Sequence, residues 1–163
     1  MNRIAIGLAL IVVVAGVAIA TVTSDGDAEE RYATEVLAGA VQRLLTVDHG
    51  FGVGNPAPFT VVHIGGASLG PLERERIAAV IEELGIAAQF VEDPDGLIEK
   101  LFNGPPQDAA VVVIDALRWE PRRAEVELRL WCGSLCAVFV TYEVVQEGGE
   151  WIVTGPVGPI AMS

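Results

Sequence analysis

The chain has 163 residues, 52% of them hydrophobic, and 22 acidic against 10 basic side chains give it a net charge of −12. Such a balance excludes nucleic acid as a partner, because phosphate binding draws on clustered Lys and Arg, and it disfavours anionic lipid headgroups for the same reason. Two cysteines are too few for a disulfide framework, and one domain of this length buries roughly two-thirds of its unfolded surface without one.

Behind Met1-Asn2-Arg3, the stretch from Ile4 to Val22 is a continuous apolar run. As a helix it would cover about 28 Å, close to the ~30 Å hydrocarbon thickness of a bilayer. Arg3 precedes the run and Asp25, Asp27, Glu29 and Glu30 follow it, which favours a cytoplasmic N-terminus with the rest of the chain outside. Residues 1–23 are therefore expected to be a membrane anchor in a single-pass protein of the cytoplasmic membrane. The rival reading is a signal peptide cleaved near Ala20, at the small-x-small site Ala18-Ile19-Ala20, which would make the protein secreted. The run exceeds the ~7–15 apolar residues usual in signal peptides, so the anchor is preferred. Bacterial lipoproteins carry a Cys just after the apolar region, and none stands there. Arg in excess of Lys, with abundant Ala, Val and Gly, suits a GC-rich bacterial genome.

Residues 24–163 are expected to form a single extracytoplasmic α+β domain. Tyr32, Val36, Leu37, Ala40, Val41, Leu44 and Leu45 recur at helical spacing and predict a helix over 28–47, with Ser24 or Asp27 as its cap. The segment Gly50-Phe51-Gly52-Val53-Gly54-Asn55-Pro56 reads as a linker. It fails as a phosphate loop because no strand precedes it, prolines follow it and it has no Lys. Pro58 to Ile64 reads as a strand, Pro71 opens a helix closed by Gly85, and Ile86 to Val91 is a second strand, parallel to the first if the helix crosses over. Asp93-Pro94-Asp95-Gly96 reads as a turn before a short helix over 97–102, and Asn103-Gly104-Pro105-Pro106 interrupts the chain. The last third predicts an antiparallel meander with strands near 109–117, 123–132, 136–146 and 150–154. The expected fold is thus an N-terminal transmembrane helix, then a helix, a β-α-β unit and a four-stranded antiparallel meander in one sheet packed by helices.

Setting Cys132 opposite Cys136 places Leu130, Leu128 and Val126 opposite Val138, Val140 and Tyr142, so one face becomes wholly apolar. A one-residue slip would put charges there. Carried through the preceding hairpin, with Glu120-Pro121-Arg122 as its turn, this register sets Asp115 opposite Glu127 and Glu125 opposite Glu143. Trp119, Arg129, Trp131 and Phe139 join them on the second face. Facing carboxylates repel, which raises one pKa or creates a cation site, and aromatics beside them suit a ligand pocket or a partner surface. Solvated carboxylates with no role are the plainer account of the same face.

Cys132 and Cys136 close a short hairpin and are expected to form a structural disulfide in an oxidising compartment. A redox pair lacks the Cys-x-x-Cys helix start, and zinc would need both His49 and His63 as well. His63 alternates with Val62 and Ile64 as a sheet histidine does, and His49 stands at a helix end where a cation suits the dipole. No cofactor is expected.

The tail Trp131-Cys132-Gly133-Ser134-Leu135-Cys136, with Tyr142 and Gly149-Glu150-Trp151-Ile152-Val153, resembles uncharacterised bacterial envelope proteins that have a Cys-Gly-x-Leu-Cys hairpin and a Gly-x-Trp-x-Val strand. Ala137-Val138-Phe139 departs from the glycines of that pattern, and the resemblance implies no activity. The expected function is that of a membrane-anchored binding or interaction module. Its partners are the membrane, through Ile4 to Val22, and another envelope protein. The alternative is a small envelope enzyme or ligand-binding roll using the acidic and aromatic face.

Overall fold

The structure is a computed structural model that describes residues 24–51, 58–102, 108–133 and 136–162. The apolar run from Ile4 to Val22, the part of the expected linker from Gly52 to Pro56 and the break from Asn103 to Pro106 lie outside the described residues. Ser134 and Leu135 of the cysteine hairpin do too.

The elements are α1 (Ser24–Thr46), β1 (Val61–Gly66), α2 (Pro71–Glu83), β2 (Ala87–Phe90), α3 (Pro94–Phe102), β3 (Ala109–Glu120), β4 (Arg123–Gly133), β5 (Cys136–Glu147), β6 (Glu150–Pro156) and β7 (Ala161–Met162). They build one seven-stranded sheet in the order β2-β1-β3-β4-β5-β6, with β7 also on β5. β1 is parallel to both β2 and β3, and the pairings from β3 onward are antiparallel.

This corrects the expected fold. Among the described residues no helix is long and apolar enough to cross a membrane; α1, the longest, carries charged residues from Asp25 to Arg43. The sheet has seven strands because β1 joins the parallel unit to the meander through β3, and because β5 outruns β6, leaving Val138 and Phe139 to pair with Met162 and Ala161. Two residues behind Gly158-Pro159 are too few to reveal alternation in the sequence. The expected turn at Asp93 to Gly96 is instead the start of α3. The Asp93 carboxylate accepts the Gly96 N–H at 2.9 Å and Pro94 opens the first turn, the usual chemistry of a helix start.

The main core lies on one face of the sheet. Val36, Leu37, Ala40, Val41, Leu44 and Leu45 of α1 and Ile77, Val80 and Ile81 of α2 cover Val62, Ile64, Val112, Ile114, Val126, Leu128, Leu130, Val138, Val140, Tyr142 and Val144. α1 packs against α2, β4, β5 and β6. Gly39 permits its close approach, since a Cβ there would lie 3.3 Å from Val153 Cγ2. On the opposite face α3 packs against β3, β1 and β4. Residues Ala110 to Ile114 of β3 are consecutively buried, as expected for a strand covered on both sides.

Two bulges revise the expected register. The hairpin between β3 and β4 turns on Pro121 and Arg122 alone, with Glu120 paired to Arg123 and Arg122 at φ 63°. Asp115 is then an extra residue between the pairs Ile114–Leu128 and Ala116–Glu127. The bulge restores the expected pairs Val112–Leu130 and Ile114–Leu128, but it turns Leu117 and Trp119 towards the core face and sends Arg118 outward. Trp119 is half-buried against the core and meets Trp151 edge-on, ring centroids 5.3 Å apart. The second bulge is at Cys132, so that Gly133, not Cys132, pairs with Cys136. The turn between β5 and β6 has Gly148 and Gly149 at φ 61° and 94°, the positive pair that a two-residue hairpin turn needs.

Within the core, the hydroxyl of fully buried Tyr142 donates to Asp48 Oδ2 at 2.8 Å, and Arg43 Nε lies 3.0 Å from the same oxygen. The contact ties the end of α1 to β5. Burial, reinforced by the Asp48 carboxylate, holds the Tyr142 hydroxyl well above the ordinary phenol range. Tyr142→Phe should lower stability by about 1–2 kcal/mol at neutral pH. The contribution is full below about pH 10 and falls as pH rises further, because the unfolded chain alone then releases the proton. Urea unfolding should therefore show the gap between wild type and variant narrowing above about pH 10; a constant gap would contradict the network.

Candidate functional site

The face of the sheet away from α1 and α2 holds the charges. Arg129 donates from Nε and Nη2 to both oxygens of Asp115, at 2.8 and 2.9 Å, and from Nη1 to Asp95 in the first turn of α3 at 3.0 Å. The Asp115 hydrogen bonds outweigh burial and hold the Arg129 guanidinium above its ordinary pKa. Arg118 Nη2 donates to Glu127 at 3.0 Å. Glu125 and Glu143 are directly paired across the strands, and Arg123 sits between them, 2.8 Å from Glu125 and, as an ion contact, 2.7 Å from Glu143. Arg123 also reaches Glu120 at 3.5 Å.

The sequence-based pairing of Asp115 with Glu127 is thus replaced by two separate arginine pairs, a consequence of the bulge. Six carboxylates meet three guanidiniums, so each acid has a cation beside it. Repulsion between neighbouring carboxylates, the basis for an acid/base pair, is relieved.

Apolar and neutral side chains stand among these ion pairs. Phe139 is paired with Arg129 and is 45% exposed; Ile152 and Val157 are 43% and 44% exposed. A cavity of about 250 Å³ opens between Phe139 and Val157, lined also by Asp115, Glu127, Arg129 and Thr141 among others. Of the residues expected here, Asp115, Glu125, Glu127, Arg129, Trp131, Phe139 and Glu143 share this side, and Trp119 does not. Sequence reasoning missed Asp95, Arg118, Arg123, Thr141 and Val157. Arg118 had a signal: apolar alternation at Val112 and Ile114 resumes out of phase at Leu117 and Trp119, which implies an inserted residue between them.

A second cavity, of about 170 Å³, lies at the end of β1 beside Gly65, Gly66 and Arg74. Packing explains its glycines. A Cβ on Gly65 would lie 2.7 Å from the Val91 carbonyl oxygen, and one on Gly66 would strike that of Ile114. Arg74 is engaged by the Leu69 carbonyl at 3.1 Å and by the Phe90 ring. The histidines stand apart. His63 is half-buried on β1, and burial lowers its pKa, keeping it neutral. His49 is fully buried just beyond the end of α1, with Nδ1 accepting the Phe51 N–H at 3.1 Å. Among the described residues no group of three or more His, Cys, Asp or Glu is placed to hold a metal ion.

No protein-family model matches the chain, and neither does any curated protein or solved structure. The cysteine pair identifies no family.

The sulfurs of Cys132 and Cys136 are at bonding distance, with Cα atoms 5.0 Å apart, inside the usual range for a disulfide. Thiol labelling of denatured, unreduced protein should find no reactive cysteine, whereas two reactive thiols would exclude the bond. The double Ser variant should remain folded and lose up to about 2 kcal/mol, since the loop closed is small.

Proposed function

We propose that the protein is an interaction module of the bacterial envelope, held at the outer side of the cytoplasmic membrane by the apolar segment from Ile4 to Val22 and binding another envelope protein through the open face of β4, β5 and β6. One observation carries the reading: Phe139 and Val157 are large, exposed and line one cavity beside a band of ion pairs, with Ile152 exposed further along the same face, opposite Val145. Exposed apolar side chains beside charged pairs suit a partner surface. The charge before and after the N-terminal run, the cysteine pair and the resemblance of its hairpin to those of envelope proteins support the location. The alternative, a small envelope enzyme or ligand-binding roll on this face, draws little from carboxylates that each have an arginine beside them.

A photo-crosslinking residue in place of Phe139 tests the reading in cells making the full chain. A discrete adduct is expected from this position and none from Glu82, which is exposed on α2 on the other side of the sheet. The same adducts from both positions, or none from Phe139, would contradict it. Alkaline carbonate should leave the full-length chain in the membrane fraction; recovery from the cytosol would contradict the location.

A further inference from the structure

We infer that the open face takes a basic segment of its partner, in which Lys or Arg recur at every second residue of an extended chain. The inference rests on the reading of that face as the binding surface and adds what it recognises.

The first ground is charge. Asp95, Asp115, Glu120, Glu125, Glu127 and Glu143 stand around Arg118, Arg123 and Arg129, which leaves a surplus of three negative charges. Each of the three arginines already has a carboxylate within 3.0 Å, so an acidic partner would have to displace one to gain a cation. A second copy would bring the same surplus against itself, on chains of net charge −12. Complementary charge favours encounter and disfavours such partners.

The second ground is the alternation of surfaces. Phe139, Thr141 and Glu143 succeed one another on the outer side of β5, with Arg129, Glu127 and Glu125 respectively opposite on β4. Ring, hydroxyl and carboxylate thus recur at the spacing of alternate residues in an extended chain. A Lys or Arg stem lying over the exposed Phe139 ring would carry its cation towards Glu127, pairing stem with ring and charge with carboxylate. Val157, which lines the same cavity as Phe139, offers apolar contact to that stem.

The test uses the full-length chain in neutral detergent micelles and three labelled peptides of equal length, in which Val alternates with Lys, with Glu or with Ser. Fluorescence anisotropy should show the Lys peptide binding about tenfold or more tighter than the other two, and weakening severalfold between low and high salt. Phe139→Ala and the pair Glu125→Gln with Glu143→Gln should each weaken it by about threefold or more, whereas Glu82→Gln should leave it unchanged. Near-UV circular dichroism confirms folding of the variants, and the salt dependence of the wild type stands without them. Equal binding of the Ser or Glu peptide, or no binding of the Lys peptide, would overturn the inference. The interaction module itself would survive that result if crosslinking from Phe139 still yields its discrete adduct, and would fall with it if not.

Discussion

The length of α3 against the length of the strands shapes the rest of the molecule. At nine residues α3 covers about 13 Å, whereas β3 and β5, at twelve residues each, extend about 40 Å. The chain passes α2 to one side of the parallel unit and α3 to the other, and α1 adds to the side of α2. One face is therefore roofed from β1 to β6, and the other only where α3 reaches. Val111 and Val113 lie under it and are buried, but beyond Ile114 the same face of β3 carries Asp115, exposed.

A bare sheet face must be soluble without being hydrophobic throughout, and arginines between carboxylates meet that need. Exposed pairs of this kind contribute at most ~1 kcal/mol each to stability. Their greater effect is on register: with Arg123 between them, Glu125 and Glu143 can stand directly opposite, a pairing that two bare carboxylates would resist. Arg129 has a second task, since its contact with Asp95 fastens the start of α3 to the sheet. The one-residue insertion at Asp115 makes both tasks compatible with the core. It allows Ile114 and Leu117 to face inward on the same strand while Asp115 and Arg118 face out.

Much of this was legible in the sequence because the apolar pattern is strict where burial is complete. Leu128, Leu130, Val138 and Val140 admit one register, and that register is present. The parallel pairing of β1 with β2 follows from the intervening helix. What escaped was local. The turn at Pro121-Arg122 is one residue shorter than expected, and the bulge at Asp115 compensates for it, so the inner pairs were right while Asp115 and Trp119 were misplaced. The phase change from Ile114 to Leu117 carried the information, but only tertiary packing decides which residue is left over. Long-range partners such as Asp48 with Tyr142 or Asp95 with Arg129 left no periodic trace, since their elements meet only in the folded chain.

Hydroxyl-radical footprinting most directly tests whether this open face is kept for a partner. Phe139 and Ile152 should react readily in the purified full-length chain in micelles and be protected in membranes from cells that make it, while buried Leu128 and Tyr142 stay unreactive in both. Equal reactivity of Phe139 in the two settings, or protection already present in the purified chain, would contradict the account.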